Sequence, residues 1–175
     1  MLTDAAKVGA LVFAAAILQA SVFSSVSILR GTPDVLLVVL ISVAVLRGSI
    51  AGALAGFWGG LLIDTANLAT LGVTSLLLTL VGYWAGRYGE TTGRDRSHAP
   101  FLAVSVVTFL YAFGTLALHF MLGEPAPARL VLVDTLFQSI ALNLILTWPV
   151  YRLVRRVLRP SERRAEQVPE VHLLG

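Results

Sequence analysis

Gly48-Ser-Ile-Ala-Gly-Ala-Leu-Ala-Gly-Phe-Trp-Gly-Gly-Leu-Leu-Ile-Asp64 is the stretch whose reading decides the fold. Gly48, Gly52, Gly56 and Gly60 recur at every fourth position. On a helix, such positions stack on one side. The glycines form a groove without side chains, widened by Ala51, Ala55 and Gly59. In water each glycine would weaken a helix by about 0.5–1 kcal/mol relative to alanine. In a bilayer the same groove lets a second helix approach backbone to backbone, and dispersion holds the pair. The stretch therefore predicts a membrane helix whose groove is either a packing face or a partner-docking face.

Composition agrees with a membrane solvent. Of 175 residues, 57% are hydrophobic and 13% charged, against about 25% charged in ordinary globular chains. A soluble chain of this size would lack a polar exterior. With no cysteine, disulfides, thiolate metal sites and a cysteine nucleophile are excluded. The first apolar segment shows no convincing small-residue cleavage site around Ala20-Ser-Val-Phe-Ser-Ser, so it reads as a retained span.

Working outward, the pattern predicts an all-α membrane domain over residues 1–158 with six spans, at about 5–24, 33–47, 48–64, 70–87, 99–122 and 129–153. A polar tail follows at 159–175. Pro33-Asp34 opens the second span, with proline in the first turn and an acid at the positive end of the helix dipole. Arg47-Gly48 then interrupts the apolar run. Either residues 33–64 form one helix of about 46 Å, or they turn at Arg47-Gly48 as a short hairpin. One helix would leave Arg47 near the bilayer centre at a cost of several kcal/mol, so the hairpin is favoured. Tyr88 to Ala99 is the most polar internal stretch and reads as a loop, and Pro149 predicts a kink in the last span.

Six spans sort the charge. With the N-terminus in the cytoplasm, that face receives Lys7, Arg47, Arg87, Arg94, Arg96, Arg152, Arg155, Arg156, Arg159, Arg163 and Arg164; the outer face receives only Arg30 and Arg129. Both termini are then cytoplasmic. Topology thus accounts for the net charge of +3 without nucleic acid. Arg152, Arg155, Arg156 and Arg159 form a basic cytoplasmic surface suited to anionic lipid.

Candidate chemistry is sparse. His98, His119 and His172 fall at separate places, without the spacing of a helical metal site, and there is no phosphate-binding Walker motif. No cofactor is expected. Asp34, Asp64 and Asp134 share the outer level, as helix-end charges or as an ion, substrate or partner site. Gln138 and Asn143 offer hydrogen bonds between helices.

Pro33-Asp34, the aliphatic run, the basic break at Arg47-Gly48, Gly-Phe-Trp-Gly-Gly-Leu-Leu-Ile-Asp64 and Leu71-Gly72 together resemble the bacterial rod shape-determining family MreD. The specific part covers residues 33–86. The resemblance implies a non-enzymatic inner-membrane subunit of the cell-elongation machinery. Direct binding to the bitopic protein MreC is expected, with MreB, RodA and a transpeptidase in the same complex for lateral peptidoglycan synthesis. It also implies a fold like the S-components of energy-coupling-factor transporters. On this carry-over Gly52, Gly56, Phe57, Gly60, Leu61, Asp64 and Gly72 are the matching positions, serving helix packing or partner docking, and the glycine spacing adds Gly48 to that packing face. A substrate-binding component of a vitamin-type transporter is the competing reading, with Ala10, Ala14, Ala16 and Ala20 as a docking face. A membrane enzyme would have only the outer acids to work with, and self-association is left open.

Overall fold

The computed structural model describes residues 2–23, 33–68, 70–92, 99–121, 123 and 136–158. They form six α-helices: α1 (Leu2–Leu18), α2 (Val35–Arg47), α3 (Ser49–Ala66), α4 (Val73–Thr92), α5 (Ala99–Met121) and α6 (Leu136–Leu158). A π-helical turn, Gln19–Phe23, continues α1. There is no strand among the described residues. By length and composition, three segments can cross a membrane: Asp4–Ser21, Ser49–Ala66 and Pro100–Leu118.

The chain turns between α2 and α3 on one residue. Gly48 closes α2 through its N–H to the Ala44 carbonyl and opens α3. Its φ of 99° lies where a side chain would be strained. Gly52 then faces the Ala44 side chain, and Gly59 faces Leu36, so α3 runs back along α2. One continuous helix over 33–64 is thereby ruled out.

Helix α2 is the centre of the bundle. Every residue from Val35 to Val45 is buried, and α1, α3, α4, α5 and α6 all touch it. Its 13 residues span only about 20 Å, short of the roughly 30 Å hydrocarbon thickness. A short helix can sit there because neighbouring side chains satisfy its ends. At its start, Gln19 Oε1 accepts the Val35 N–H (2.8 Å), Asn143 Oδ1 accepts the Asp34 N–H (2.8 Å), and Asp34 Oδ1 accepts the Leu37 N–H (2.9 Å). These N–H groups would otherwise be orphans in an apolar surround. At its finish, Arg47 donates two hydrogen bonds to the Asp4 carboxylate (3.0 and 3.1 Å) and one to the Leu158 carbonyl (2.8 Å). One guanidinium therefore joins the start of α1 to the ends of α2 and α6.

Helix α4 runs to Thr92, so Tyr88, Gly89 and Glu90 are helical and not part of the expected loop. Helix α6 continues through Pro149. Asp134, Arg129, Arg159, His98, His172 and the tail at 159–175 lie outside the described residues.

Candidate functional site

The glycine groove is occupied by α4. Helices α3 and α4 form the most extensive helix pair of the bundle and run antiparallel. Gly52 faces the backbone of Gly82, Gly56 faces that of Leu78 and Thr79, and Gly60 faces that of Thr74 and Ser75. From the other side, Gly86 faces Gly48 and Ser49. A Cβ built at any of these glycines would fall within 3.0 Å of backbone atoms. Backbone cannot yield as a flexible side chain can, so only glycine fits at these four rungs. The close approach also lets the Ser75 hydroxyl donate to the Phe57 carbonyl across the pair (3.0 Å).

The two helices cap each other. Glu90 of α4 accepts the Ser49 N–H (2.8 Å) and the Ser49 hydroxyl (3.0 Å) at the start of α3. Asp64 of α3 accepts the Gly72 N–H (2.8 Å) and the Ser75 N–H (3.4 Å) at the start of α4. Each acid thus sits at the positive end of the other helix's dipole. The two donors from Ser49, and more weakly the Arg87 guanidinium, hold the Glu90 carboxyl below the ordinary glutamate range.

The remaining candidate residues are scattered. Phe57 is exposed and stacks edge-on with Trp58 at 5.5 Å, as Tyr83 does with Trp84 at 5.7 Å. Leu61 is half-buried on the flank of α3. Gly72 has open space around its α-carbon and a φ of 96°, and it presents its N–H to Asp64. Arg152 lies over the Trp148 ring at 4.2 Å, and Arg155 and Arg156 are exposed on the same last turns of α6. Asp34 opens α2 and Asp64 lies in the last turn of α3, which places both at the same end of that hairpin, and both act electrostatically on Tyr111 of α5.

Glu90, Gln19, Ser75 and Tyr111 were missed as site residues by the sequence. Glu90 lies in a polar stretch that resembles a loop, and the partners of Gln19 and Tyr111 come from distant segments. Ser75 had one available signal, its place beyond Gly72 at the start of a helix. Among the described residues no group of three or more His, Cys, Asp or Glu is placed to hold a metal ion.

These features define a polytopic helical membrane protein whose buried polar side chains serve chiefly as helix caps and ties between helices. A family model described as rod shape-determining protein MreD matches residues 5–157 of the chain. The chain belongs to the MreD family of rod shape-determining proteins. No curated protein and no solved structure matches it.

Proposed function

We propose that this chain is a non-enzymatic scaffold of the bacterial cell-elongation complex, one that holds MreC in the inner membrane and thereby helps direct lateral peptidoglycan synthesis. The match to the MreD family along residues 5–157 carries this reading. Two structural features support it. The described cations Lys7, Arg47, Arg87, Arg152, Arg155 and Arg156 gather toward one end of the bundle, which favours that end as cytoplasmic. At the other end and around α2, Gln19, Asn143 and Asp64 hold helix ends, as a rigid docking platform requires.

Because α4 fills the groove, partner contact falls to outward faces. The outward faces of α3 and α4 carry Trp58 (62% exposed) and Trp84 (64% exposed), each edge-on to its neighbouring ring, Phe57 and Tyr83. Large aromatics supply contact area at low entropic cost, and these outward aromatic faces are the proposed contact with MreC in the membrane. The test is co-purification from bacterial membranes. The native chain retains MreC, and the Trp58→Ala/Trp84→Ala double variant reaches the membrane at a normal level but retains less. A folded native chain that fails to retain MreC contradicts the proposal.

A further inference from the structure

The outward face of α6 changes character along its length. Ile145, Trp148, Arg152 and Arg156 recur at three- and four-residue spacing and so share one side of the helix. All four are exposed, and Arg155 is exposed beside them. The opposite side, with Tyr151, Val154 and Leu158, is buried against the bundle. Arg152 lies over the Trp148 ring at 4.2 Å, a cation–π contact that holds the guanidinium against the indole. Arg47 donates to the Leu158 carbonyl and to Asp4, which puts this basic turn at the bundle end where α1 starts and α2 finishes.

From Ile145 to Arg156 the helix rises about 16 Å. Over that distance one face passes from an aliphatic side chain, through an aromatic ring, to guanidinium groups. A phospholipid passes from acyl chain to headgroup in the same order, and tryptophan favours the boundary between the two. Arginine pairs with phosphate through paired N–H groups and is weakly hydrated. Helix α6 contains no aspartate or glutamate to repel an anion. The acids of α1 and α4 at this end are engaged, Asp4 by Arg47 and Glu90 by Ser49 and Arg87. Residues 159–175 carry three arginines against three glutamates, so they add no net negative charge. An acidic protein arriving from water would meet the basic turn alone, whereas a phospholipid also covers Trp148 and Ile145.

We propose that the face of α6 from Ile145 to Arg156 binds an anionic phospholipid. Arg152 and Arg156 hold its phosphate, Arg155 adds positive charge, and Trp148 and Ile145 lie along the upper part of an acyl chain. The Trp148 ring sets the position of Arg152, so the headgroup meets a guanidinium that is already placed. The site needs no partner protein and does not depend on the MreC reading.

The experiment is native mass spectrometry of the purified full-length chain in detergent, with equimolar phosphatidylglycerol and phosphatidylcholine of identical acyl chains. The native chain should retain phosphatidylglycerol about tenfold better. Arg152→Gln/Arg156→Gln should bring the ratio close to one, and Trp148→Leu, which releases Arg152, should lower it part of the way. Lys7→Gln/Arg87→Gln removes two charges from other helices and should leave the ratio near the native value. Equal retention of the two lipids by the native chain, or equal loss of preference in both double variants, would overturn the proposal. Displacement of phosphatidylglycerol by inorganic phosphate alone would also overturn it, because the face would then recognise an anion without the lipid. So would a polyglutamate peptide that binds the native chain but not Arg152→Gln/Arg156→Gln while neither lipid is preferred, because the face would then belong to an acidic protein.

Discussion

Helices α2 and α3 are the two arms of one hairpin, yet they are packed by opposite means. Helix α2 is a run of bulky aliphatic residues, buried on all sides among five helices. Helix α3 is buried along its groove, where it has no side chains and meets the α4 backbone, while Ile50, Leu54 and Trp58 point away from the bundle. The first arm relies on side-chain volume at ordinary interhelical distance, the second on the absence of volume at close range. The two should therefore fail differently. Enlarging a residue on α3 meets rigid backbone, whereas trimming a residue on α2 leaves a cavity that its neighbours can partly close.

The largest expected effect comes from filling the groove. Gly56→Leu places a side chain where even a Cβ would meet the backbone of Leu78 and Thr79. Helices α3 and α4 must separate, which removes the Ser75–Phe57 hydrogen bond and both reciprocal caps together. The variant should fail to accumulate as a monodisperse protein on size-exclusion chromatography in detergent. A monodisperse variant with native thermal stability would erase the contrast between the arms.

An intermediate effect is expected at the centre. Leu37→Ala empties a fully buried position of α2, and large-to-small changes in packed cores cost about 2–5 kcal/mol. The variant should still fold and insert but melt several degrees lower. If it is as damaging as Gly56→Leu, then α2 is as intolerant of change as the groove, and the proposed difference in packing is wrong.

The smallest effect concerns the cap that joins the start of α3 to α4. Glu90 is held below its ordinary range, so its contribution is present above the unfolded value near ~4.3 and fades as pH falls through the lowered folded value. Glu90→Gln should melt slightly lower than the native chain near neutral pH, because it lacks the charge that Ser49 donates to. Between about pH 5 and pH 3 the native chain should lose stability more steeply than the variant. Parallel curves would mean that Ser49 and Glu90 do not couple the helices in solution.

This contrast also explains what was legible in the sequence. Glycines at four-residue spacing identify a face, and the face at Gly52, Gly56 and Gly60 could be read directly. Periodicity does not name the occupant, and α4 was found there only because Gly82 and Gly86 complete the same rungs. Helix α2 shows the opposite limit: Val35 to Val45 is apolar on every side, so no pattern indicates which neighbours cover it. The turn at Gly48 was readable because an arginine in mid-bilayer is costly. The hydrogen bonds from Asp34 and Val35 to Asn143 and Gln19 were not, since those pairs are fixed by tertiary packing across 109 and 16 residues. Asp34 and Asp64 were legible as acids at one level, but their roles as helix caps depend on geometry that spacing alone does not supply.

The most direct test of the central claim, that the α3–α4 backbone contact is what makes this chain a functional shape-determining subunit, is a matched pair of substitutions read by cell shape. Gly56 is pressed against α4, while Gly9 on α1 has nothing within 4 Å of a built Cβ. In rod-shaped cells that depend on this protein, Gly9→Leu should preserve rods and Gly56→Leu should give round cells. Rods sustained by Gly56→Leu would contradict the account.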